Sequence, residues 1–400
     1  MASKHKRPAS TYCRSHGYKT RRRSRHFGWD RPTFPSSPLP PYEQQVVYLP
    51  HFNLLPVECQ IHIFTFLSEK EKCTAALVCR HWSCLVRTGK LWRVADFTRL
   101  RAFQLGMEGL LVSNKDFEQW KAWVQQYAHH LISRQASLLI LKASFDLGDP
   151  KHRWCEFLST FLDKLHCGDL SEVGLNWTYT HFEPLDVCLE SSRSSHQESL
   201  TKMDQVSNFQ ILLKKLVEMC PRITKMRLHF DWSETSVSLL TQFQHLCVLE
   251  LKYFWVFKGV NPILMHSLTK SLPRLRSLTL HVLVPLRDLG ISYSIESHSL
   301  EFLDVSQSRG LVFSCLKLPV LREFHAKKIV RGITLDRKTR LNIQSQWPCL
   351  YQLLRAGTPQ LKVFNREHLL PSWKEKDYRE LTVVLEQSCY CLRHSDSWLW

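Results

Sequence analysis

The 400-residue chain lacks several features that would place it in a common functional class. It has no apolar run of eighteen residues, so the sequence predicts no membrane-spanning helix. Its beginning lacks the apolar core of a secretory signal, and we expect no secretion by that route. The thirteen glycines are not clustered, which leaves no glycine-rich loop of the kind that binds phosphates.

Catalytic and metal-binding motifs are missing as well. The Gly-x-Ser-x-Gly of serine hydrolases and the His-Glu-x-x-His of zinc proteases do not occur. There is no Cys-x-x-Cys, and the pair Cys389 and Cys391 near His394 has no second ligand pair at zinc-site spacing. We therefore expect no enzyme activity, no metal and no cofactor.

Fourteen cysteines are present, and most of them lie inside apolar periodic segments. That placement is typical of small buried hydrophobic residues in a reducing compartment rather than of a disulfide framework. We therefore expect an intracellular protein, located in the cytoplasm, the nucleus or both.

Positive charge is concentrated at the start of the chain. Ten of the Lys and Arg residues fall within residues 1–35 against Asp30 alone, so half of the net charge of +18 lies there. Residues 1–46 are Ser/Pro-rich and have no hydrophobic period, which predicts a disordered tail. A dense basic cluster in this tail consists of Lys19, Arg21, Arg22, Arg23 and Arg25.

Three interpretations of this basic cluster are open. It is a nuclear-localisation signal, a patch that binds nucleic acid, or a solvated tail without function. Nucleic acid is the least favoured partner, because no strand or loop platform is visible that would hold aromatic residues for base stacking.

The stretch from Leu54 to Phe97 predicts three short helices with a surplus of apolar residues. Ser68 and Glu71 form a capping box, so a second helix is expected to start near Glu69 and to continue to Gly89. A third apolar turn then begins at Leu91. Two neighbouring apolar faces of the first helix are Val57, Ile61 and Phe64, and Cys59, Ile63 and Leu67.

A unit of this size has difficulty forming a stable core by itself, and its two apolar faces exceed the usual core-facing stripe. The surplus must be covered by the rest of this chain or by another protein.

In the order and spacing of its residues, this stretch resembles the F-box. The motif consists of Leu55-Pro56, Ile63-Phe64, Leu67, Leu77-Val78-Cys79-Arg80, Trp82 and Leu91-Trp92. The resemblance implies an F-box at residues 47–98 that docks on a Skp-type adaptor and, through it, joins a cullin–RING ubiquitin ligase. The implied adaptor-binding residues are Leu55, Pro56, Ile63, Phe64, Leu67, Val78, Trp82, Leu91 and Trp92.

After residue 99 a pattern of the form apolar-x-x-apolar-x-apolar recurs eight times. From Ile223 to Leu321 its steps are 23, 29, 25 and 21 residues, which are typical of leucine-rich repeats. The first copy is Ala136/Leu139/Leu141, and the last copy has Arg366 at its third place. The middle residues of the eight copies are Leu139, Val173, Met226, Leu249, Leu278, Leu303, Phe324 and Phe364.

These repeats resemble those of the leucine-rich branch of the F-box family, with departures. The Asn or Cys expected three positions after the last leucine is replaced by Phe254 and Leu283, and the outer copies are irregularly spaced. A helix is predicted at residues 115–133, and an exposed loop at residues 190–204. Residues 99–400 are therefore predicted to form a degenerate horseshoe of parallel strand/helix units, with some other mixed α/β domain as the alternative.

The predicted fold class is thus α + α/β: a disordered basic tail, a three-helix F-box, and a leucine-rich-repeat-like domain. The resemblance implies a non-catalytic substrate-recognition subunit of an SCF-type ubiquitin ligase. Its implied partners are a Skp-type adaptor, a cullin through that adaptor, and a target protein on the concave face, with no membrane involved. Two alternatives are an F-box scaffold that acts outside ubiquitin transfer, and a nuclear protein that associates with nucleic acid through its basic tail.

Overall fold

A computed structural model describes most of the chain after residue 51. The predicted tail at residues 1–46 and its basic cluster lie outside the described residues. The chain divides into two units, residues 1–54 and residues 55–400. All of the structure below belongs to the second unit, apart from a 3-10 turn at Phe52–Leu54 in the first. The described ranges are 52–98, 114–146, 153–178, 196–253, 260–284, 291–308, 310–326 and 349–375.

The second unit begins with three short helices: α1 (Val57–Thr65), α2 (Glu69–Ala75) and α3 (Arg80–Val86). A 3-10 turn follows at Gly89–Leu91. The expected capping box is present at the start of α2, since Ser68 Oγ accepts from the backbone N–H of Glu71, and Glu71 Oε2 accepts from that of Ser68.

The single second helix expected between Glu69 and Gly89 is in fact two helices, α2 and α3. The chain leaves helical geometry at Cys79, whose backbone is extended with φ −157°. Cys79 Sγ accepts a hydrogen bond from the backbone N–H of Trp82 at 3.4 Å and so caps the new helix. Thiols are not common capping groups, which is why the sequence pattern did not predict this break.

Ten strands form one sheet, and every neighbouring pair except β11–β12 is parallel. Their order is β1-β2-β3-β4-β5-β6-β8-β10-β11-β12, and β7 and β9 form a separate parallel pair. The strands are β1 (Val94–Asp96), β2 (Ile140–Asp146), β3 (Glu172–Thr178), β4 (Lys225–Phe230), β5 (Val248–Tyr253), β6 (Ser277–Leu280), β7 (Tyr293–Glu296), β8 (Phe302–Asp304), β9 (Phe313–Lys317), β10 (Glu323–His325), β11 (Val363–Phe364) and β12 (Glu367–His368).

Helices form the second layer along β1 to β6. Between β6 and β10, β7 and β9 form this layer instead of helices. Parallel neighbours require a crossover, and each of these elements supplies one. The helices are α4 (Asn114–Ser133), α5 (Arg153–Lys164), α6 (His196–Met219), α7 (Glu234–Leu240), α8 (Pro262–Ser271) and α9 (Leu350–Gly357).

The helix predicted at residues 115–133 is confirmed as α4. The loop predicted at residues 190–204 is wrong from His196 onward, because α6 starts there; the earlier part lies outside the described residues. The Gln, Glu, Leu, Lys and Met residues of this stretch are good helix formers, which favours a helix here over a loop.

The core of the sheet is a continuous row of apolar side chains that are paired across neighbouring strands. Seven of the eight predicted middle residues lie in this row, each at the register position of the next. All of its members are at most 1% exposed. The row consists of Leu141, Val173, Met226, Leu249, Leu278, Leu303, Phe324 and Phe364.

The exception is the first copy, whose middle residue is Leu141 and not Leu139. Leu141 pairs with Ala95 of β1 and Val173 of β3, while Leu139 is only half-buried. The correct triplet is therefore Leu138, Leu141 and Ala143, all of which are buried. The fold is a large, mostly parallel sheet with helices; its identification as a leucine-rich-repeat horseshoe stays a prediction, as do the domain boundaries at residues 46 and 98.

Candidate protein-binding surface

Five large apolar side chains of the N-terminal helices are exposed to solvent. They lie on α1, at its C-terminal end, and in the turn between α2 and α3. We call these five residues the apolar surface. They are Val57 (50% exposed), Ile63 (43%), Phe66 (77%), Leu77 (86%) and Val78 (62%).

Helix α1 is apolar on two sides, and only one of them is buried. Gln60 and Phe64, four residues apart, are each 2% exposed and face the interior. Cys59, Ile63 and Phe66 follow the spacing i, i+4, i+7 and therefore share another side of the helix, which is exposed. The outward side of α1 thus carries apolar groups that this chain leaves uncovered.

The inward side of α1 is fixed by specific contacts with α3. The rings of Phe64 and Trp82 meet edge-to-face with centroids 5.3 Å apart. Gln60 Nε2 donates to the carbonyl oxygen of Leu55 at 2.7 Å, and His81 Nε2 donates to Gln60 Oε1 at 2.7 Å. The buried amide is therefore satisfied, and α1 has one defined orientation.

Leu77 and Val78 are held outward by the turn that joins α2 to α3. Their backbone N–H groups donate to the carbonyl oxygens of Thr74 and Ala75 at 3.0 and 3.1 Å. These bonds close α2, and the extended Cys79 then redirects the chain into α3. Both side chains are exposed because the turn projects away from the core.

Trp92 lies beneath the N-terminal helices as part of the core. It is 3% exposed, and its Nε1 donates to the carbonyl oxygen of Val86 at 2.7 Å. The ring of His130, on α4, meets it edge-to-face at 4.3 Å, and the Arg134 guanidinium lies 5.6 Å from its centroid. Lys72 Nζ, 5.8 Å from the same ring, donates to the carbonyl oxygen of Leu91 at 3.0 Å.

Tyr127 of α4 makes a second link to these helices. Its hydroxyl lies 2.8 Å from Glu69 Oε1, at the start of α2, and 3.0 Å from the carbonyl oxygen of Val94. Burial, with the neighbouring Glu69 carboxylate, raises the pKa of Tyr127 far above its usual value. The hydroxyl therefore stays protonated, which this link requires.

The nine residues implied by the resemblance fall into three groups. Pro56, Ile63 and Val78 are exposed, and Leu55, Leu67 and Trp82 are half-buried. The remaining three, Phe64, Leu91 and Trp92, are buried in this chain and support the surface from within. Adaptor contact by these nine residues stays a prediction.

Three exposed residues of the apolar surface were not among those nine: Val57, Phe66 and Leu77. Helical spacing could have indicated Phe66, which lies seven residues after Cys59 on the outward side of α1. Nothing in the local pattern distinguishes Leu77 from a core residue, because its exposure depends on the break at Cys79.

The sheet offers a second surface, on the side of the strands opposite the apolar row. Along β4, buried Met226 and Leu228 alternate with exposed Lys225 and Arg227. Glu172 lies between two lysines: its Oε1 is 3.7 Å from Lys142 Nζ and 3.3 Å from Lys225 Nζ. Strand alternation places these groups on one side of the sheet, which we call the charged face.

Three further basic side chains lie on the charged face across β4, β5 and the end of β6. His229 and Lys252 are register partners, and the His281 N–H donates to the carbonyl oxygen of Leu251, beside Lys252. The pKa of His229 is lowered to about 3, mainly by burial and to a smaller extent by the nearby Lys252 and His281. Burial also lowers the pKa of Lys252 and of His281. The two imidazoles are therefore neutral at pH 7, and Arg227 and Lys252 supply the positive charge at this point.

Metal-binding groups and membrane-spanning helices are both absent from the described ranges. No group of three or more His, Cys, Asp or Glu side chains there is arranged to hold a metal ion. None of the helices in those ranges has the length and apolar content needed to cross a bilayer.

Comparison with known proteins identifies one part of the chain. Residues 52–98 match the family model of the F-box-like domain. The matched range contains α1, α2, α3 and β1, and hence the whole apolar surface. The chain therefore contains an F-box-like domain, a kind of domain that typically binds Skp-type adaptors. No curated protein matches the chain.

Proposed function

We propose that this protein is the substrate-recognition subunit of an SCF-type ubiquitin ligase. Its F-box-like domain docks on a Skp-type adaptor, which links it to a cullin. The strand/helix domain, as a leucine-rich-repeat-like array, holds a target protein for ubiquitination by the other subunits. The chain itself contributes proximity and no catalytic step.

The observation that carries the proposal is the apolar surface within the F-box-like domain. Ile63 on α1, Phe66 at its end, and Leu77 and Val78 in the turn between α2 and α3 are all exposed. Full burial of a large apolar side chain contributes about 1.5–3 kcal/mol, and the most exposed members have most of that still to gain. A partner that covers this surface by helix-in-groove packing would therefore be bound mainly through apolar contact.

The charged face and the length of the sheet support the second half of the proposal. From β2 to β11 the sheet has eight parallel strands, not counting the separate pair β7 and β9. Their outward side chains lie side by side. Such a surface suits recognition of an extended or folded protein target through side-chain specificity. We propose that the complex acts in the cytoplasm, the nucleus or both.

The test uses variants at the two most exposed members of the apolar surface. Phe66→Ala with Leu77→Ala should abolish recovery of the adaptor with the purified full-length chain, because both contacts are lost while the core is unchanged. The matched control is Ile263→Ala with Leu370→Ala, which removes two exposed apolar side chains (74% and 59%) outside the F-box-like domain. Undiminished adaptor recovery by the first variant would contradict the proposal.

Cullin recovery separates this function from its nearest alternative, a scaffold outside ubiquitin transfer. If the adaptor is recovered in full but the cullin is absent from the same purification, the scaffold function is favoured. If both are recovered in constant proportion, the ligase function is favoured.

A further inference from the structure

The charged face has an uneven distribution of charge along the sheet. Among the described outward side chains, β2 to β5 carry four cations, Lys142, Lys225, Arg227 and Lys252, against the carboxylates of Glu172 and Glu250. Asp96 of β1, the register partner of Lys142, lies on the same side, so the described side chains of β1 to β5 have one positive charge in excess.

The other end of the face has no excess of positive charge among its described strand residues. The described outward side chains of β6, β8 and β10 include Asp304 and Glu323 and contain no Lys or Arg. His325 is mostly buried, and its Nε2 lies 2.6 Å from Glu323 Oε1. Directly before β8, Glu301 lies 3.9 Å from Arg276 and 3.8 Å from Arg322, so cations partly offset the carboxylates of this end.

The cations at β2–β5 are arranged around carboxylates that they outnumber. Arg227 Nε lies 2.5 Å from Glu250 Oε2, and Glu172 is shared between Lys142 and Lys225. These two carboxylates hold the basic side chains in place but do not neutralise them all. Salt bridges between exposed side chains are weak, so an incoming anion can compete with these carboxylates for the cations.

Lys252 supplies the positive charge nearest the middle of the face. It is half-buried, and burial lowers its pKa more than the adjacent Glu250 raises it. A cation that is partly removed from water interacts more strongly with an incoming anion than an exposed one does.

We propose that the positive end of the charged face, on β2–β5, binds an anionic segment of the target protein. The chemistry that fits is a short extended peptide bearing carboxylates or phosphates, anchored by Lys225, Arg227 and Lys252. The inference rests on the proposed function, in which this domain holds the target.

The dimensions agree with a segment of this length. Strands lie about 4.8 Å apart, so β2 to β5 span about 14 Å, which an extended peptide covers with about five residues. Alternate side chains of that peptide face the sheet, so two or three acidic residues at alternate positions meet the cations.

The test measures binding of labelled peptides to the full-length chain in complex with its adaptor, by fluorescence anisotropy. The probes are an alternating Glu/Ser peptide, the same peptide with phosphoserine, an alternating Lys/Ser peptide and a single-stranded oligothymidine. The face variant is Lys225→Gln with Arg227→Gln. The control is Lys214→Gln with Lys270→Gln, which removes the same charge from exposed positions on α6 and α8.

We expect the Glu/Ser probe to bind the wild type and to bind the face variant about tenfold more weakly. Its affinity for the control variant should equal its affinity for the wild type. The Lys/Ser peptide should not bind. Stronger binding of the phosphoserine probe would identify phosphate as the preferred anion, and equal binding would identify carboxylate; both support the proposal. Cross-linking of a photoreactive Glu/Ser probe should label β4 and β5.

Equal weakening by the face variant and the control would overturn the proposal, because it would indicate attraction to net charge alone. So would cross-links confined to the basic tail, or oligothymidine binding that exceeds peptide binding and is lost in the face variant. Adaptor recovery is measured on the same samples. If the adaptor is recovered but no acidic probe binds, this inference fails alone; if the adaptor is not recovered, the proposed function fails whatever the probes do.

Discussion

Gly89 and Arg134 approach each other so closely that a Cβ atom on residue 89 would lie 2.5 Å from the carbonyl oxygen of Arg134. The same atom would lie 2.9 Å from the carbonyl oxygen of Gln135. Gly89 begins the 3-10 turn that leads to Trp92, and Arg134 follows the last residue of α4. This contact joins the F-box-like domain to the sheet domain backbone against backbone, which leaves no flexible side chain to yield.

Gly89→Ala should therefore destabilise the protein by about 1–3 kcal/mol, since the added methyl group forces two backbone segments apart. The measurement is urea unfolding followed by far-UV circular dichroism. Gly168→Ala is the matched control, because a Cβ atom there meets nothing within 4 Å and the substitution should change stability by less than about 0.5 kcal/mol. Equal stability of the two variants would show that the contact does not constrain the fold.

Trp92 is expected to support the adaptor surface through the core and not by direct contact. Trp92→Ala should cost about 3–5 kcal/mol of folding free energy, because it removes a buried ring and the hydrogen bond to Val86. Trp123→Ala, on α4, removes a ring that is 44% exposed and should cost much less. Chemical unfolding of both variants checks the difference; a Trp92→Ala protein of normal stability that fails to bind adaptor would instead indicate direct contact.

The apolar row of the sheet should be intolerant of truncation. Leu249 lies between Met226 and Leu278 and is fully buried, so Leu249→Ala should destabilise by about 2–5 kcal/mol. Ile263→Ala, at an exposed position of α8, should be close to neutral. A thermal unfolding midpoint for Leu249→Ala equal to that of Ile263→Ala would contradict the assigned register.

Asp231 should make stability depend on pH. Its carboxyl oxygens are buried without a hydrogen bond of ordinary geometry, and burial raises its pKa more than the nearby Ser233 and Ser236 lower it. The folded state then holds a proton more tightly than the unfolded state, whose Asp pKa is about 4. Stability from this group is therefore present below about pH 4 and is lost as pH rises through the folded pKa.

Asparagine cannot ionise. The free energy of unfolding of Asp231→Asn, relative to that of the wild type, should therefore be higher at pH 7 than at pH 4. Urea unfolding at the two pH values measures this change. Asp163→Asn, at an exposed position of α5, is the control and should show no such gain. The assignment would be refuted if the wild type lost no more stability between pH 4 and pH 7 than Asp231→Asn does.

How much the sequence could predict depended on whether spacing alone fixed each element. From Val173 to Phe364 the repeat pattern placed every middle residue at its register position, because one apolar side chain per strand must face the second layer. At the first copy, Leu139 and Leu141 both satisfied the pattern. The choice depended on pairing with Ala95 of β1, a contact that is distant in sequence.

The candidate surface was predicted in kind but only partly in its residues. The surplus of apolar side chains in α1 follows from composition, and Ile63 and Val78 are indeed exposed. Phe64 and Trp92 satisfy the same motif but are buried, since motif spacing does not distinguish a residue that faces a partner from one that faces the core. The exposure of Leu77 follows from the cap at Cys79, which no local propensity indicates.

Hydrogen–deuterium exchange of the full-length chain, with and without a purified Skp-type adaptor, tests the central claim most directly. We predict that the adaptor slows exchange in peptides covering residues 57–78, where the apolar surface lies, and leaves β4 and β5 unchanged. Unaltered exchange throughout residues 57–78 at saturating adaptor, or slowing confined to the sheet, would contradict the claim that this surface is the docking site.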